Sequence, residues 1–310
     1  MNRSRLLAAS PGVWERAGLG TVHGMTNDDN FPAQTQDPPG RTDAMDPRPD
    51  HGEESYVGHR RLAGRRALVT GGDSGIGRAV VIAFAREGAD VVFTYLPEEK
   101  DDADETLAAV ASSGQRCVAL EVDLRTREAC DDLVTAAVAE LGGLDLLVNN
   151  AGYQMARQEG IEEITDERLD RVITTNLTAL FWLTRAAVPH LDAGSAIINN
   201  SSIQAFDPSE TLLDYAATKA AINNVTVNLA AQLGPRGIRV NAVAPGPVWT
   251  PLQPATQTAE KVAQLGQETP LGRAGQPAEV APAFVFLASE ADASYVSGTV
   301  LGVTGGKAVF

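Results

Sequence analysis

Cysteine is nearly missing from this chain: Cys117 and Cys130 are its only two in 310 residues. Their spacing matches no metal pattern and builds no disulfide framework, so both read as buried or idle thiols in a reducing cytosol. The histidines, His23, His51, His59 and His190, form no ligand cluster in sequence, and no metal is expected. Basic charge is scarce: 25 lysines and arginines face 40 aspartates and glutamates, for a net charge of −15 and a pI near 4.7. Nucleic acid needs a basic face and is excluded as a partner. No apolar run approaches the ~20 residues that span a bilayer, so no membrane partner is expected either. Met1-Asn2-Arg3-Ser4-Arg5 has the charge of a secretory leader, but Leu6-Leu7-Ala8-Ala9 falls far short of its apolar segment. A cytoplasmic location follows.

What is present is a hydrophobic content of 44%, enough for a substantial core. Residues 1–61 do not supply it. They are rich in Pro, Asp and Gly, as in Pro38-Pro39-Gly40 and Asp46-Pro47-Arg48-Pro49-Asp50-His51-Gly52, and show neither helical nor alternating periodicity. Such a segment cannot form a core of its own. We expect an N-terminal extension with a disordered tail over 1–24 and an extended arm over 40–60. Tyr56, Val57, Arg60 and Arg61 offer groups to dock the arm. Met25 is a second candidate start for the native chain.

From residue 62 to 310 the pattern becomes one alternating α/β domain. Ala67-Leu68-Val69-Thr70 reads as a buried strand, Gly71-Gly72-Asp73-Ser74-Gly75-Ile76-Gly77 as a turn, and the run to Gly88 as a helix. A second strand follows over 90–95. Glycines at 71, 75 and 77 between a strand and a helix suit a dinucleotide, because backbone and pyrophosphate can approach closely at the helix N-terminus. Further units are expected as a helix over 102–113, a strand over 117–122, a helix over 126–141 and a strand over 144–149. One long helix over 162–191, a strand over 195–200, a helix over 213–233 and a strand over 238–243 continue the series. A mobile flap over 250–275, a helix over 277–289 and a strand over 299–303 end it.

Continuous apolar strands alternating with helices mean a parallel sheet covered on both faces. Crossover handedness makes it doubly wound, with ligands at the carboxyl ends of the strands. Asp123-Leu124 and Asn149-Asn150-Ala151-Gly152 stand at two such ends. Asp123 has two readings, an adenine contact and a helix N-cap. Asn176 falls among Val172, Ile173, Leu177 and Leu180, where an amide left without a partner would cost roughly 1–3 kcal/mol.

Tyr215 and Lys219 are four residues apart in an Ala-rich helical run and share one face. A tyrosine of pKa about 10 is a poor base at neutral pH, and a nearby lysine cation is expected to lower that value. A surface helix with a half-buried tyrosine is the competing reading of the pair alone. Ser202 lies upstream in Ser201-Ser202-Ile203-Gln204, where its hydroxyl, the phenol and the cation can converge on one oxygen.

Taken together, Thr70-Gly71-x-x-x-Gly75-Ile76-Gly77, Asn149-Asn150-Ala151-Gly152, Ser202, Tyr215-x-x-x-Lys219 and Pro245-Gly246 resemble the short-chain dehydrogenase/reductase family, in its order and spacing, across 62–306. Within it, Met45-Asp46-Pro47-Arg48-Pro49-Asp50-His51-Gly52-Glu53 and Gly71-Gly72-Asp73-Ser74 resemble the general-stress and glucose/ribitol-dehydrogenase-like oxidoreductases, which also carry an N-terminal arm. The resemblance implies a single Rossmann-type sheet of about seven strands. It also implies NAD(P)-dependent interconversion of an alcohol with an aldehyde or ketone.

By this resemblance Tyr215 exchanges a proton with the substrate oxygen and Ser202 polarises it. Lys219 lowers the Tyr215 pKa and holds the nicotinamide ribose, and Asn176 anchors a water between Lys219 and solvent. Cofactor contacts are expected from Gly71, Asp73, Ser74, Gly75, Ile76, Gly77, Tyr95, Asp123, Leu124, Asn150, Ala151, Gly152, Tyr215 and Lys219, and further along the chain from Pro245, Gly246, Val248 and Thr250. Gln154, Gln204, Phe206 and Trp249 are expected to border the substrate, with Trp249 equally a packing residue of the flap. After the second strand, where an acid marks NAD and an arginine often marks NADP, stands Tyr95-Leu96-Pro97. Arg78 is either a 2′-phosphate partner or a surface residue, and the cofactor stays open between NAD and NADP. A 3-oxoacyl-carrier-protein reductase and a non-catalytic cofactor sensor are the alternative functions. A homotetramer is the family expectation.

Overall fold

The computed structural model describes residues 31–156 and 160–310; the tail expected over 1–24 lies outside them. The chain first runs through β1 (Arg66–Val69), α1 (Gly75–Arg86), β2 (Asp90–Tyr95), α2 (Lys100–Val110), β3 (Cys117–Glu121), α3 (Arg127–Leu141) and β4 (Leu146–Asn149). It continues through α4 (Asp166–Ile173), α5 (Ala179–Ala187), β5 (Ala196–Asn200), α6 (Leu213–Leu233) and β6 (Arg239–Pro245). The short helices α7 (Leu252–Thr256) and α8 (Ala259–Ala263) precede α9 (Pro277–Ala288), α10 (Glu290–Ala293) and β7 (Val300–Val303).

The strands form one sheet in the order β3-β2-β1-β4-β5-β6-β7, parallel at every junction. This is the doubly wound Rossmann-type fold. Alternation along each strand decides which face a residue serves. Ala67 and Val69 of β1 join Val91 and Phe93 of β2 against α1 and α9, where Val80, Phe84 and Phe284 are buried. Leu68 and Val92 point the other way, onto Leu133 and Val134 of α3 and Leu183 of α5. Both faces are therefore dry, which is why the strands read as unbroken apolar runs. Strand order reverses between β1 and β4, so the crevice that receives ligands opens at their carboxyl ends.

The single helix expected over 162–191 is interrupted. Between α4 and α5 the chain makes a π turn, Thr174–Thr178, with Asn176 buried inside it. Asn176 Oδ1 accepts the Tyr153 N–H at 2.7 Å, while its Nδ2 donates to Tyr153 O at 2.9 Å and to Thr218 Oγ1 at 3.2 Å. The extra residue in the turn directs the amide inward to satisfy these groups, a distortion that apolar periodicity does not announce. Part of the flap expected over 250–275 is helical, in α7 and α8.

Residues 31–61 carry no helix or strand and lie along the domain. Contact begins at Phe31, well before the expected arm, where its ring stacks on Trp249 at 3.7 Å and an interplanar angle of 4°. Gln36 donates to Pro254 O, Thr42 to Asp102, and Asp50 to Gln276. Of the four docking groups expected, Tyr56 and Arg61 bind the buried Glu87, whereas Val57 and Arg60 face solvent.

Candidate active site

The carboxyl ends of the strands surround a cavity of about 1150 Å³. Its near wall is the turn between β1 and α1. Gly71 has φ +63° and Gly75 φ +51°, conformations that disfavour a side chain. A Cβ on Gly77 would lie 1.8 Å from Gly71 O and 2.6 Å from Asn150 Nδ2, so the cradle closes only around glycine. Asn150 braces it: its Nδ2 donates to Thr70 O and Gly71 O, both at 2.9 Å, and its Oδ1 accepts from Asn200. Thr70 Oγ1 in turn accepts the N–H groups of Asn150 and Ala151 at 3.0 Å. Ser74 is the N-cap of α1 and makes no side-chain cap, which leaves backbone donors of the first turn directed at the cavity. Anionic oxygens of a dinucleotide fit such a cradle.

Every cofactor residue expected from the sequence lines this cavity. Asp73, Ser74, Ile76, Tyr95, Asp123 and Leu124 border one end; Ala151, Gly152, Pro245, Gly246, Val248 and Thr250 border the middle. Two readings need correction. Arg78 is neither a surface residue nor a phosphate partner: it is 1% exposed, with Nε on Asp73 O at 2.7 Å and Nη2 on Asp102 Oδ1 at 2.8 Å. It braces the glycine turn from behind. Asp123 does not cap α3, since Thr126 Oγ1 accepts the Ala129 N–H instead; the Asp123 carboxylate is held by Arg125.

Glu99, just beyond Tyr95-Leu96-Pro97 after β2, lines the same end. Burial, then the charge of Asp73, pushes its carboxyl up to about 8. Burial likewise raises Asp73, to about 6.

At the centre, β5 delivers Ser201 and Ser202. Ser201 is pinned by Asn223 at 2.6 Å. Ser202 Oγ accepts the Gln204 N–H at 3.1 Å, within a tight turn over Ile203–Ala205, and lines the cavity together with Tyr215. The first turn of α6 holds Tyr215, and the buried Arg168–Asp214 pair at 2.8 Å ties that turn to α4. Lys219 follows one helical turn later, with Nζ 5.3 Å from the Tyr215 ring centroid and donating to Asn200 O at 2.6 Å.

The expectation that Lys219 pulls the phenol pKa down does not describe this arrangement. Burial raises Tyr215 to about 12, opposed only by the Ser202 hydrogen bond, and burial pushes Lys219 down to about 7. Burial disfavours the charged form of each group, the phenolate of Tyr215 and the ammonium of Lys219.

Asn176 stands behind this group, not in the main cavity. A second space of about 10 Å³ is lined by Asn176, Lys219, Asn149, Asn200 and Thr70. Gly152 separates the two side chains: a Cβ there would meet Asn176 Oδ1 at 3.5 Å and Lys219 Nζ at 3.8 Å.

The substrate end includes Gln154, whose Nε2 donates to Thr256 Oγ1, and Gln204, whose Oε1 accepts from Ser209. Phe206 and Trp249 do not line it. Trp249 is fully buried under Phe31, and its indole N–H donates to Pro47 O at 2.7 Å. The N-terminal segment, docking earlier in the chain than expected, covers that ring. Lys261 and Lys307 do line the cavity and were missed, because flap and C-terminal residues reach the site only through the fold. Among the described residues no group of three His, Cys, Asp or Glu could hold a metal ion.

A family model described as enoyl-(acyl carrier protein) reductase matches residues 71–308. The chain belongs to the short-chain dehydrogenase/reductase family of oxidoreductases. General stress protein 39 of Bacillus subtilis is 50% identical over 90% of this chain and 97% of its own length. The glucose and ribitol dehydrogenase of Daucus carota is 47% identical over 92% of this chain and 99% of its own. A short-chain dehydrogenase from Burkholderia cenocepacia, solved in complex with NADP, superposes with a TM-score of 0.73 at 36% identity, covering 79% of this chain and 98% of that one. Similarity to the first two relatives reaches well beyond the family's core motifs, and into the arm.

Proposed function

We propose that this protein is an NAD(P)-dependent reductase and dehydrogenase that interconverts a carbonyl compound and its alcohol, using Ser202, Tyr215, Lys219 and Asn176. The observation that carries this reading is that Ser202, Tyr215 and Lys219 line one cavity beside a glycine cradle suited to a dinucleotide. When bound, the nicotinamide exchanges a hydride with the substrate carbon. The Ser202 hydroxyl holds the substrate oxygen, and Tyr215 gives it a proton during reduction. A phenol raised to about 12 is protonated at neutral pH, the form reduction needs. Lys219 and Asn176 flank a polar space of about one water's size, which supports a proton route from solvent to the phenolate left behind.

Residues 62–310 form the catalytic domain and 1–61 its extension. Either cofactor serves, for no arginine follows β2 and Arg78 is engaged elsewhere; a KM ratio beyond a thousandfold would refute this. A carrier-protein substrate is disfavoured by Asp207, Glu210 and Glu268 around the same cavity. A pure cofactor sensor has no need of Ser202, Tyr215 and Lys219 together on one cavity.

The protein works in the cytoplasm as a homotetramer built on α4, α5 and α6. In support, Leu169, Ile173, Phe181, Leu213 and Val227 expose apolar surface on those elements. No described helix is long and apolar enough to cross a membrane. Light scattering at the monomer mass would remove the tetramer. Replacing Tyr215 by Phe tests the mechanism: kcat falls by roughly two to four orders of magnitude while cofactor affinity stays near wild type. Unchanged turnover would discard it.

A further inference from the structure

Lys261 is an unusual cation in this chain. It stands on α8, half-buried, and lines the same cavity as Tyr215. Its Nζ donates to Thr211 Oγ1 at 3.1 Å, and among the described residues it pairs with no carboxylate. Lys100 pairs with Asp104 and Lys307 with Asp207, while Lys219, also without a carboxylate, is held by Asn200 O. The cavity that Lys261 lines also presents neutral polar groups, Gln154, Gln204, Ser209 and Gln264. Of the acids nearby, Asp207 is taken by Lys307, which also lies 3.9 Å from Glu268, and Glu210 is exposed.

Position gives this cation a meaning. Thr211 stands four residues before Tyr215, in the 3-10 turn Glu210–Leu212 that leads into α6, and both residues line the cavity with Lys261. A substrate whose carbonyl oxygen rests on Tyr215 and Ser202 occupies the same cavity as Thr211 and Lys261. Removing an ammonium from bulk water without a counter-ion is unfavourable, and an anionic substrate group supplies that counter-ion.

We propose that Lys261 and Thr211 form an anion subsite, so that this enzyme prefers short aldehydes or ketones bearing a carboxylate or a phosphate over their neutral analogues. The inference rests on the carbonyl-reductase reading and deepens it by naming a substrate class.

The test compares kcat/KM for succinic semialdehyde against butanal, and for glyceraldehyde 3-phosphate against glyceraldehyde, with both reduced cofactors. Each anionic aldehyde should be favoured by about tenfold or more, the range expected of a charge-assisted hydrogen bond. The pair that shows the larger ratio identifies carboxylate or phosphate as the group recognised. Lys261→Met should abolish the preference while changing neutral aldehydes by less than about twofold, and Lys261→Arg should restore most of it. Melting temperature controls for folding, and α8 carries Lys261 on its cavity side, where the loss of a single Thr211 contact leaves the helix cap at Thr258 intact. Neutral and anionic aldehydes reduced equally well, or a Lys261→Met loss shared equally by both, would overturn the subsite and leave the reductase reading standing. No reduction of any aldehyde would bring down the reductase reading itself, and the subsite with it.

Discussion

Glu87 fastens the end of the N-terminal arm to the helix that carries the glycine cradle, and the substitution Glu87→Gln has a calculable cost. The Glu87 side chain is fully buried and accepts from Tyr56 Oη at 2.7 Å, His59 N at 2.8 Å and Arg61 N at 2.9 Å. Arg61 adds Nε at 3.0 Å and Nη2 at 2.7 Å. Against the penalty of burial, these donors hold the carboxyl at about 2, below its ordinary 4.5. A difference of this size corresponds to about 3 kcal/mol. A third of the Arg61 side chain meets water, and the screening this allows reduces the figure to about 2 kcal/mol. The amide introduced by the substitution would keep one acceptor oxygen but turn an N–H toward groups that are all donors.

Because the folded pKa is depressed, the contribution is complete above the unfolded value and is lost as pH falls from about 4.5 toward 2. Urea unfolding of both proteins at one concentration should therefore show a gap of about 2 kcal/mol at pH 7 that shrinks by about half near pH 3. A gap below about 0.5 kcal/mol at pH 7, or one equally large near pH 3, would refute the reasoning.

Three further outcomes follow from the site and the arm. In the cofactor-free protein, the tyrosinate absorbance assigned to Tyr215 by difference from Tyr215→Phe should not appear below about pH 10, because burial raises the phenol to about 12; titration near pH 7 would show that Lys219 dominates after all. Asn176→Ala should destabilise the protein by roughly 1–3 kcal/mol through the unpaired Tyr153 groups and lower kcat without raising KM; wild-type kcat would exclude Asn176 from the proton route. Phe31→Ala should cost roughly 3 kcal/mol and red-shift the emission of Trp249, which loses its stacked cover; an unaltered spectrum would show that the arm does not shield that ring.

Much of this protein is legible without coordinates, and the reasons are local. A doubly covered parallel sheet demands apolar strands, so β1, β2, β4 and β5 declare themselves, and the glycines of Gly71–Gly77 are dictated by a backbone approach that no side chain permits. The four-residue spacing of Tyr215 and Lys219 places them on one helical face by geometry alone. Contacts between distant segments are another matter. Trp249 reads equally as a pocket wall or a packing residue until Phe31 and Pro47 are seen to cover it, and Arg78 reads as a phosphate partner or a surface residue until Asp73 and Asp102 enclose it. The π turn at Asn176 follows from Tyr153 and Thr218, which lie 23 and 42 residues away. Most of all, the balance of charge at Tyr215 and Lys219 depends on how dry their pocket is, a quantity belonging to the packed molecule and to no stretch of chain. Local pattern suffices for the sheet, the cradle and the pairing of Tyr215 with Lys219 on one helical face. Which groups surround them, and which protonation states they hold, is set by packing between segments far apart in the chain.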